Sequence, residues 1–336
     1  MAFDMLIGSE AVRARLANDV REHTLSHAYL VEGAVGSGRR TLAMALCAAI
    51  ACQHKDGERL PCCECLACRK VLEGKSVDVI RVQRDPKKAT IGVDEVRFLR
   101  TDVLLPPNEL DFKIYIIEEA ELLTPQAQNA LLLTLEEPPS YALFLLLCTS
   151  ATSMLETIRS RAQLVRLEPV AASEMKAYLS SRDRSFAALP DEEQQQILLL
   201  SDGSVGRALV LTNEKKRAPL IERRAMAARC VSALLGENGK YDVSVIPRLI
   251  SDIGNKRDEV IPLIEDIQLA LRDLILLKRA DEVALRFYTD SDAALERVER
   301  VSVQALLSLY DTVETVRRQL LRNANVRLAM TSLFYR

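Results

Sequence analysis

Neither sign of charge dominates this 336-residue chain: 45 basic side chains face 47 acidic ones, a formal net charge of −2. No overall field therefore draws it onto nucleic acid or an anionic membrane, and any such contact has to be a local patch. Long apolar runs are missing too, because stretches such as Tyr141 to Cys148 fall far short of the roughly 20 residues that cross a bilayer. The start, Met1-Ala2-Phe3-Asp4-Met5, lacks the basic segment and apolar run of a secretory signal. Internal repeats and low-complexity linkers are also missing. These absences lead to the expectation of a cytoplasmic, membrane-free protein. What is present is 49% hydrophobic content, enough for the cores of two or three domains, and eight cysteines. In a reducing compartment those cysteines are not expected to form disulfides, and the tight spacing of several points to a metal.

Up to about Pro169 short apolar runs alternate with amphipathic helical stretches, the pattern of a parallel sheet covered by helices. Ala28–Val31, Ile114–Ile117 and Leu143–Cys148 read as buried strands. Beyond Pro169, Ala172–Ser180, Glu192–Leu200 and Gly206–Thr212 read as short helices, with Asp202-Gly203 breaking the chain between the last two. From about Asn213 long helical patterns dominate, such as Ile267, Leu271, Leu274 and Lys278. The expected class is α/β plus all-α. Residues 1–169 form a P-loop-type parallel-sheet domain with a zinc module inserted at about 52–68, 170–212 a small helical lid, and 213–336 a C-terminal helical bundle for oligomerisation.

Gly33-Ala34-Val35-Gly36-Ser37-Gly38-Arg39-Arg40-Thr41 follows a strand and opens a helix at Leu42–Cys52, the context of a phosphate-binding loop. Its glycines let backbone N–H groups converge on an anion at a helix start. The active motif continues Gly-Lys-Ser/Thr, whereas Arg39 stands at the lysine position and Arg40 at the Mg²⁺-binding hydroxyl position. Thr41 does not rescue the hydroxyl, because a helix turns by about 100° per residue and the next side chain points elsewhere. Arg39 can pair with phosphate, but its planar fork substitutes poorly for a compact ammonium. At the acidic strand end Glu119 matches the base position, while Glu118 is one methylene too long for the metal-holding aspartate. The residues read as a relic nucleotide site that binds without hydrolysing, or as a degenerate helix cap with no ligand.

Cys52, Cys62, Cys65 and Cys68 form a C-x9-C-x2-C-x2-C array, and four thiolates at such spacings close a tetrahedral, structural Zn²⁺ site. Cys63 is a spare thiol beside it, and His54 is an outside candidate ligand. Cys47, Cys148 and Cys230 sit in apolar contexts expected to be core.

Together these features resemble the clamp-loader branch of the AAA+ proteins, and within it most closely the delta-prime subunits of bacterial DNA polymerase III. The likeness runs over nearly the whole chain. It is carried by Leu6-Ile7-Gly8, Ser26 to Leu30, the altered phosphate loop, the cysteine array, Lys113 to Glu119 and Asn129-Ala130-Leu131-Leu132. Thr134-Leu135-Glu136-Glu137-Pro138-Pro139, Thr157-Ile158-Arg159-Ser160-Arg161, Gly203-Ser204, Leu271-Arg272-Asp273-Leu274 and Asn323-Ala324-Asn325 complete it. The resemblance implies an AAA+ fold with a collar-type last domain. Arg161 becomes an arginine finger for a neighbouring subunit's ATP site, though Ala162 stands where the family has cysteine. It implies gamma/tau-like and delta-like subunits, a sliding clamp and primed DNA as partners. The lid arginine that would sense nucleotide is replaced by Gly206, with Arg207 one position late. Two other readings stay open: an active gamma/tau-like motor subunit, and a zinc-dependent module gripping DNA through Arg84, Lys87 and Lys88. For that patch a solvated loop is the simpler account, since aromatics are not interleaved with the charges.

Overall fold

The computed structural model describes residues 3, 5–57, 59–236, 243–280, 285–288 and 290–335. Met1, Ala2 and Asp4 of the N-terminal reading lie outside the described residues. The chain divides into two compact units, Met1–Ala188 with Gly203–Leu209, and Leu189–Asp202 with Val210–Arg336. Residues 170–212 are thus shared between the two units.

The first unit is built on five parallel strands, β1 Ala28–Glu32, β2 Val79–Val82, β3 Lys113–Ile117, β4 Ala142–Cys148 and β5 Gln163–Arg166, in the order β2-β3-β4-β1-β5. The three central strands are apolar at nearly every position because both faces are covered. Alternate residues feed opposite layers: Tyr29, Val31, Ile114, Ile116, Leu143, Leu145 and Leu147 on one side, Ala28, Leu30, Tyr115, Ile117, Phe144 and Leu146 on the other. Burying each large side chain contributes about 1.5–3 kcal/mol. The helix Arg39–Ala51 is apolar around most of its circumference because it packs against β4, Leu66–Leu72 and Glu10–Arg21 at once. Because all strands run the same way, the segments after β1, β3 and β4 emerge at one edge of the sheet, where open α/β sheets bind ligands.

One buried carboxylate ties a long connection to this sheet. Asp78, fully buried, accepts N–H groups from Asn108 at 2.7 Å, Glu109 at 2.6 Å and Leu110 at 2.9 Å. Burial alone would raise its pKa, but these backbone donors outweigh it and hold the carboxyl below the usual value. A depressed folded pKa gives stability that is present above the unfolded carboxylate range and lost as pH falls through the folded value. Asp78→Asn should therefore cost about 1.5–3 kcal/mol at pH 7. It should cost progressively less as the wild type is acidified below about pH 4. Urea midpoints of both proteins between pH 7 and pH 3 measure this, and a constant difference across that range would refute it.

The second unit is helical. Glu214–Leu235, Arg257–Leu277, Val303–Leu321 and Val326–Phe334 bury one apolar core that includes Cys230, Ile267, Leu271 and Leu274. Asp273 is fully buried and accepts N–H groups of Arg286, Phe287 and Tyr288 at 2.9, 2.7 and 3.3 Å, as well as an N–H of Arg272 at 2.8 Å. Asn325 caps Val326–Phe334 through Leu328 N–H, and Arg257 bonds the Asn323 side chain and the Ala324 carbonyl. The two sequence landmarks of this region are thus anchoring devices of its packing.

Candidate functional site

The relic loop leaves the end of β1 and is shaped by glycine. Gly36 and Gly38 have φ of 79° and 95°, which side chains other than glycine rarely adopt. Gly33 N–H donates to the Cys148 carbonyl and Ser37 N–H to that of Ala34, closing the turn before the helix Arg39–Ala51. Close approach matters as much as φ. Gly206 N–H donates to the Gly36 carbonyl at 2.9 Å and Ser204 Oγ to the Val35 carbonyl at 2.9 Å. A Cβ on Gly206 would lie 2.9 Å from Gly36 Cα and 3.0 Å from its oxygen, backbone that cannot yield. At the position where a sensing arginine was expected, backbone packs on backbone.

A cavity of about 360 Å³ opens beside the loop. Gly36, Gly38, Arg39, Arg40, Thr41, Glu118 and Glu119 line its polar side, and Leu6, Leu147, Tyr178 and Leu209 its apolar side. Gly33 lies at the root of the loop instead. The carboxylates are already partnered. Glu118 Oε1 is held by Arg81 Nε at 2.9 Å and by Arg40 Nε at 3.7 Å, and Glu119 by Arg84 Nε at 3.4 Å. Arg39 turns to Glu121 at 4.0 Å, and that carboxylate also accepts the Thr149 hydroxyl at 2.7 Å and its N–H at 3.1 Å. Ser37 Oγ and one Arg39 amino group are buried with no hydrogen-bond partner among the described residues. Arg81, Glu121 and Thr149 escaped the sequence reading because no motif carries them; their side chains matter only once β2, β3 and β4 lie adjacent.

Arg161 follows the short helix Glu156–Arg159. Its guanidinium pairs with Glu136 at 2.8 Å and donates to the Thr157 carbonyl at 2.9 Å, with about a third of the side chain exposed. Arg84 and Lys88 do not form a free basic patch: Arg84 also donates to the Lys88 carbonyl, and Lys88 pairs with Glu95 at 2.9 Å.

The cysteine array folds around the end of the helix Arg39–Ala51 and the start of Leu66–Leu72. Donor atoms of Cys52, His54, Cys62 and Cys65 all lie within 4.8 Å of one another. Cys68 Sγ is 3.9 Å from Cys62 Sγ. Backbone N–H groups point at the sulfurs: His54 N at Cys52, Cys65 N at Cys62 and Cys68 N at Cys65, each at 3.4 Å. At Cys62 burial raises the thiol pKa, but the N–H groups of Cys65 and Glu64, together with His54 and Cys52, bring it down to about 6. Burial pushes Cys52 and Cys68 up. A tetrahedral site with metal–sulfur bonds of about 2.3 Å puts its sulfurs about 3.8 Å apart, so this donor set fits zinc. Cys63 turns away to the Pro61 carbonyl. Cys47, Cys148 and Cys230 are buried in the apolar cores, and burial pushes Cys148 and Cys230 up to about 12.

A parallel sheet with a glycine loop opening a helix at one sheet edge defines a P-loop-type α/β domain. Residues 8–171 match a family described as DNA polymerase III, delta subunit. The chain is 28% identical over 321 residues to DNA polymerase III subunit tau of Bacillus subtilis (strain 168), covering 92% of this chain and 56% of that protein. It is 30% identical over 250 residues to subunit tau/gamma of Haemophilus influenzae, covering 73% of this chain and 35% of that one. It thus spans between about a third and just over half the length of these relatives. A gamma subunit-related protein of Thermotoga maritima aligns over 95% of this chain and 97% of its own, at 20% identity and a TM-score of 0.47. The chain is thus similar to subunits of DNA polymerase III over residues 8–171 and, with the tau and tau/gamma relatives, over a longer stretch. No helix among the described residues is long and apolar enough to cross a membrane.

Proposed function

We propose that the chain is a non-hydrolysing, delta-prime-like subunit of the bacterial DNA polymerase III clamp loader, acting in the cytoplasm with gamma/tau-like and delta-like subunits. The helices of residues 213–336 join it to those partners, Arg161 serves a neighbour's ATP site, and the complex loads a sliding clamp onto primed DNA. The observation that carries this reading is the state of the loop. Both chemical positions are arginines, and their guanidinium groups pair with the chain's own Glu121 and Glu118. Glu118, which would have to help hold Mg²⁺, is bound by Arg81 as well. Phosphates entering the cavity have to displace these pairs, and arginine stands at both the lysine position and the metal-binding hydroxyl position that hydrolysis requires. At the sensing position Gly206 brings no side chain, and its N–H packs against the Gly36 carbonyl instead.

The cysteines act as a structural zinc site. Cys52, Cys62 and Cys65 supply three thiolates and Cys68 the fourth, with no open position for catalysis. Bound there, zinc supplies a cross-link between the ends of two helices; the chain's own N–H groups orient the sulfurs.

An active motor subunit is the second reading, favoured by the tau and gamma names of the relatives. Mg²⁺-ATP added to the purified chain separates the two. The non-hydrolysing reading expects no turnover above buffer, whereas turnover abolished by Arg39→Ala or Glu119→Gln would overturn it in favour of the motor.

A further inference from the structure

A tetrahedral ion takes four donors, yet five converge in the cysteine module. His54 Nδ1 lies 3.7 Å from Cys62 Sγ and Cys68 Sγ lies 3.9 Å from the same sulfur. The first is close to the nitrogen–sulfur edge of about 3.6 Å, and the second to the sulfur–sulfur edge of about 3.8 Å, expected of a zinc tetrahedron. Cys52, His54, Cys62 and Cys65 are already mutually close, so a complete donor set exists without Cys68. His54 reaches this position because the chain turns immediately after Cys52, with His54 N–H donated to the Cys52 sulfur. The exposed imidazole then folds back over Cys62.

The two candidates for the fourth position differ in what ligation asks of them. Cys68 is fully buried and its thiol donates to the Ala48 carbonyl at 3.3 Å. Binding a metal through Cys68 gives up that hydrogen bond to the Ala48 carbonyl, whereas His54 has no such bond to surrender. Four thiolates around a divalent ion leave two net negative charges, whereas three thiolates and a neutral imidazole leave one. His54 therefore completes the site at lower desolvation cost, and Cys68 at higher sulfur content. We propose that His54 and Cys68 are interchangeable fourth ligands of this metal site, either one closing the tetrahedron on Cys52, Cys62 and Cys65.

This inference rests on the zinc reading, and the test keeps the two apart. The full-length chain is exchanged into Co²⁺ and its bound metal and sulfur-to-cobalt absorption are measured, alongside circular dichroism, for wild type, His54→Ala, Cys68→Ser, Cys68→Ala, Cys63→Ala and Cys68→Ser/His54→Ala. Wild type and each single variant are expected to hold one equivalent. In the Cys68 variants the sulfur band should weaken by at most about a quarter, the share of one thiolate in four, according to how often Cys68 holds the ion in the wild type. The double variant should bind at least about 100-fold more weakly than Cys68→Ser. Using both serine, which keeps a donor to Ala48, and alanine guards against a packing effect at that position. Loss of the ion from folded Cys68→Ser, or a double variant that holds cobalt as tightly as Cys68→Ser, overturns the interchange. A wild-type chain that binds no metal overturns the zinc reading instead.

Discussion

Arg161→Ala should leave the chain folded and, in a reconstituted clamp loader, lower ATP hydrolysis at the one neighbouring site it serves by about 10³- to 10⁵-fold, the range over which an arginine finger acts in other phosphoryl-transfer systems. The guanidinium rests against Glu136 and the Thr157 carbonyl, on side chains that are both partly exposed. An ion pair in that setting contributes at most about 1 kcal/mol, so its loss is not a folding defect. The same contacts hold the planar fork in one orientation at the end of a short helix, which lowers the entropy lost when it meets a phosphoryl group. Glu136→Gln separates positioning from charge: it should reduce the rate far less than Arg161→Ala, because the finger itself is retained. Steady-state ATPase and clamp-loading rates, measured with DNA and clamp present, decide the matter, and rates unchanged by Arg161→Ala would remove the finger assignment.

The parts of this molecule that were legible in the sequence are those where the chemistry is local. β1, β3 and β4 announce themselves as apolar runs because both of their faces are covered, and the glycine loop is contiguous. β2 and β5 did not, since they are the edge strands: Arg81 lies on one, while Gln163 and Arg166 on the other are exposed. The same edge position hid Arg81 as the partner of Glu118. Glu121 was invisible for a related reason, as its role depends on Thr149 arriving from the end of β4. The replacement of the expected sensing arginine could be read as a loss, but that Gly206 instead packs its backbone onto Gly36 requires two segments 170 residues apart to meet. His54 illustrates a limit of spacing rules: equal C-x2-C steps favour sulfur ligands, and only the turn after Cys52 brings the imidazole into range.

If the cysteines hold zinc as proposed, stripping it should lower the melting temperature of the first unit by about 8–16 °C and loosen residues 52–72 well before the sheet. Metal binding to a site absent from the unfolded chain contributes directly to folding, and an ion present at a thousand times its dissociation constant adds about 4 kcal/mol. For a unit of this size each kcal/mol shifts the midpoint by about 2–4 °C, which gives the stated range. The effect should not stay confined to a surface loop, because Cys52, Leu60, Cys65, Cys68 and Val71 belong to the same buried cluster as the helix Arg39–Ala51 and β4. Loss of the cross-link frees Leu66–Leu72 from that helix and exposes its apolar side. Hydrogen exchange should accordingly rise first in 52–72 and next in Arg39–Ala51, while β3 and β4 stay protected until global unfolding. The measurement is a thermal melt and an exchange time course before and after chelation, with zinc added back as the control. A chelated chain that melts within about 2 °C of the untreated one would mean that the cysteines hold this module together by packing alone.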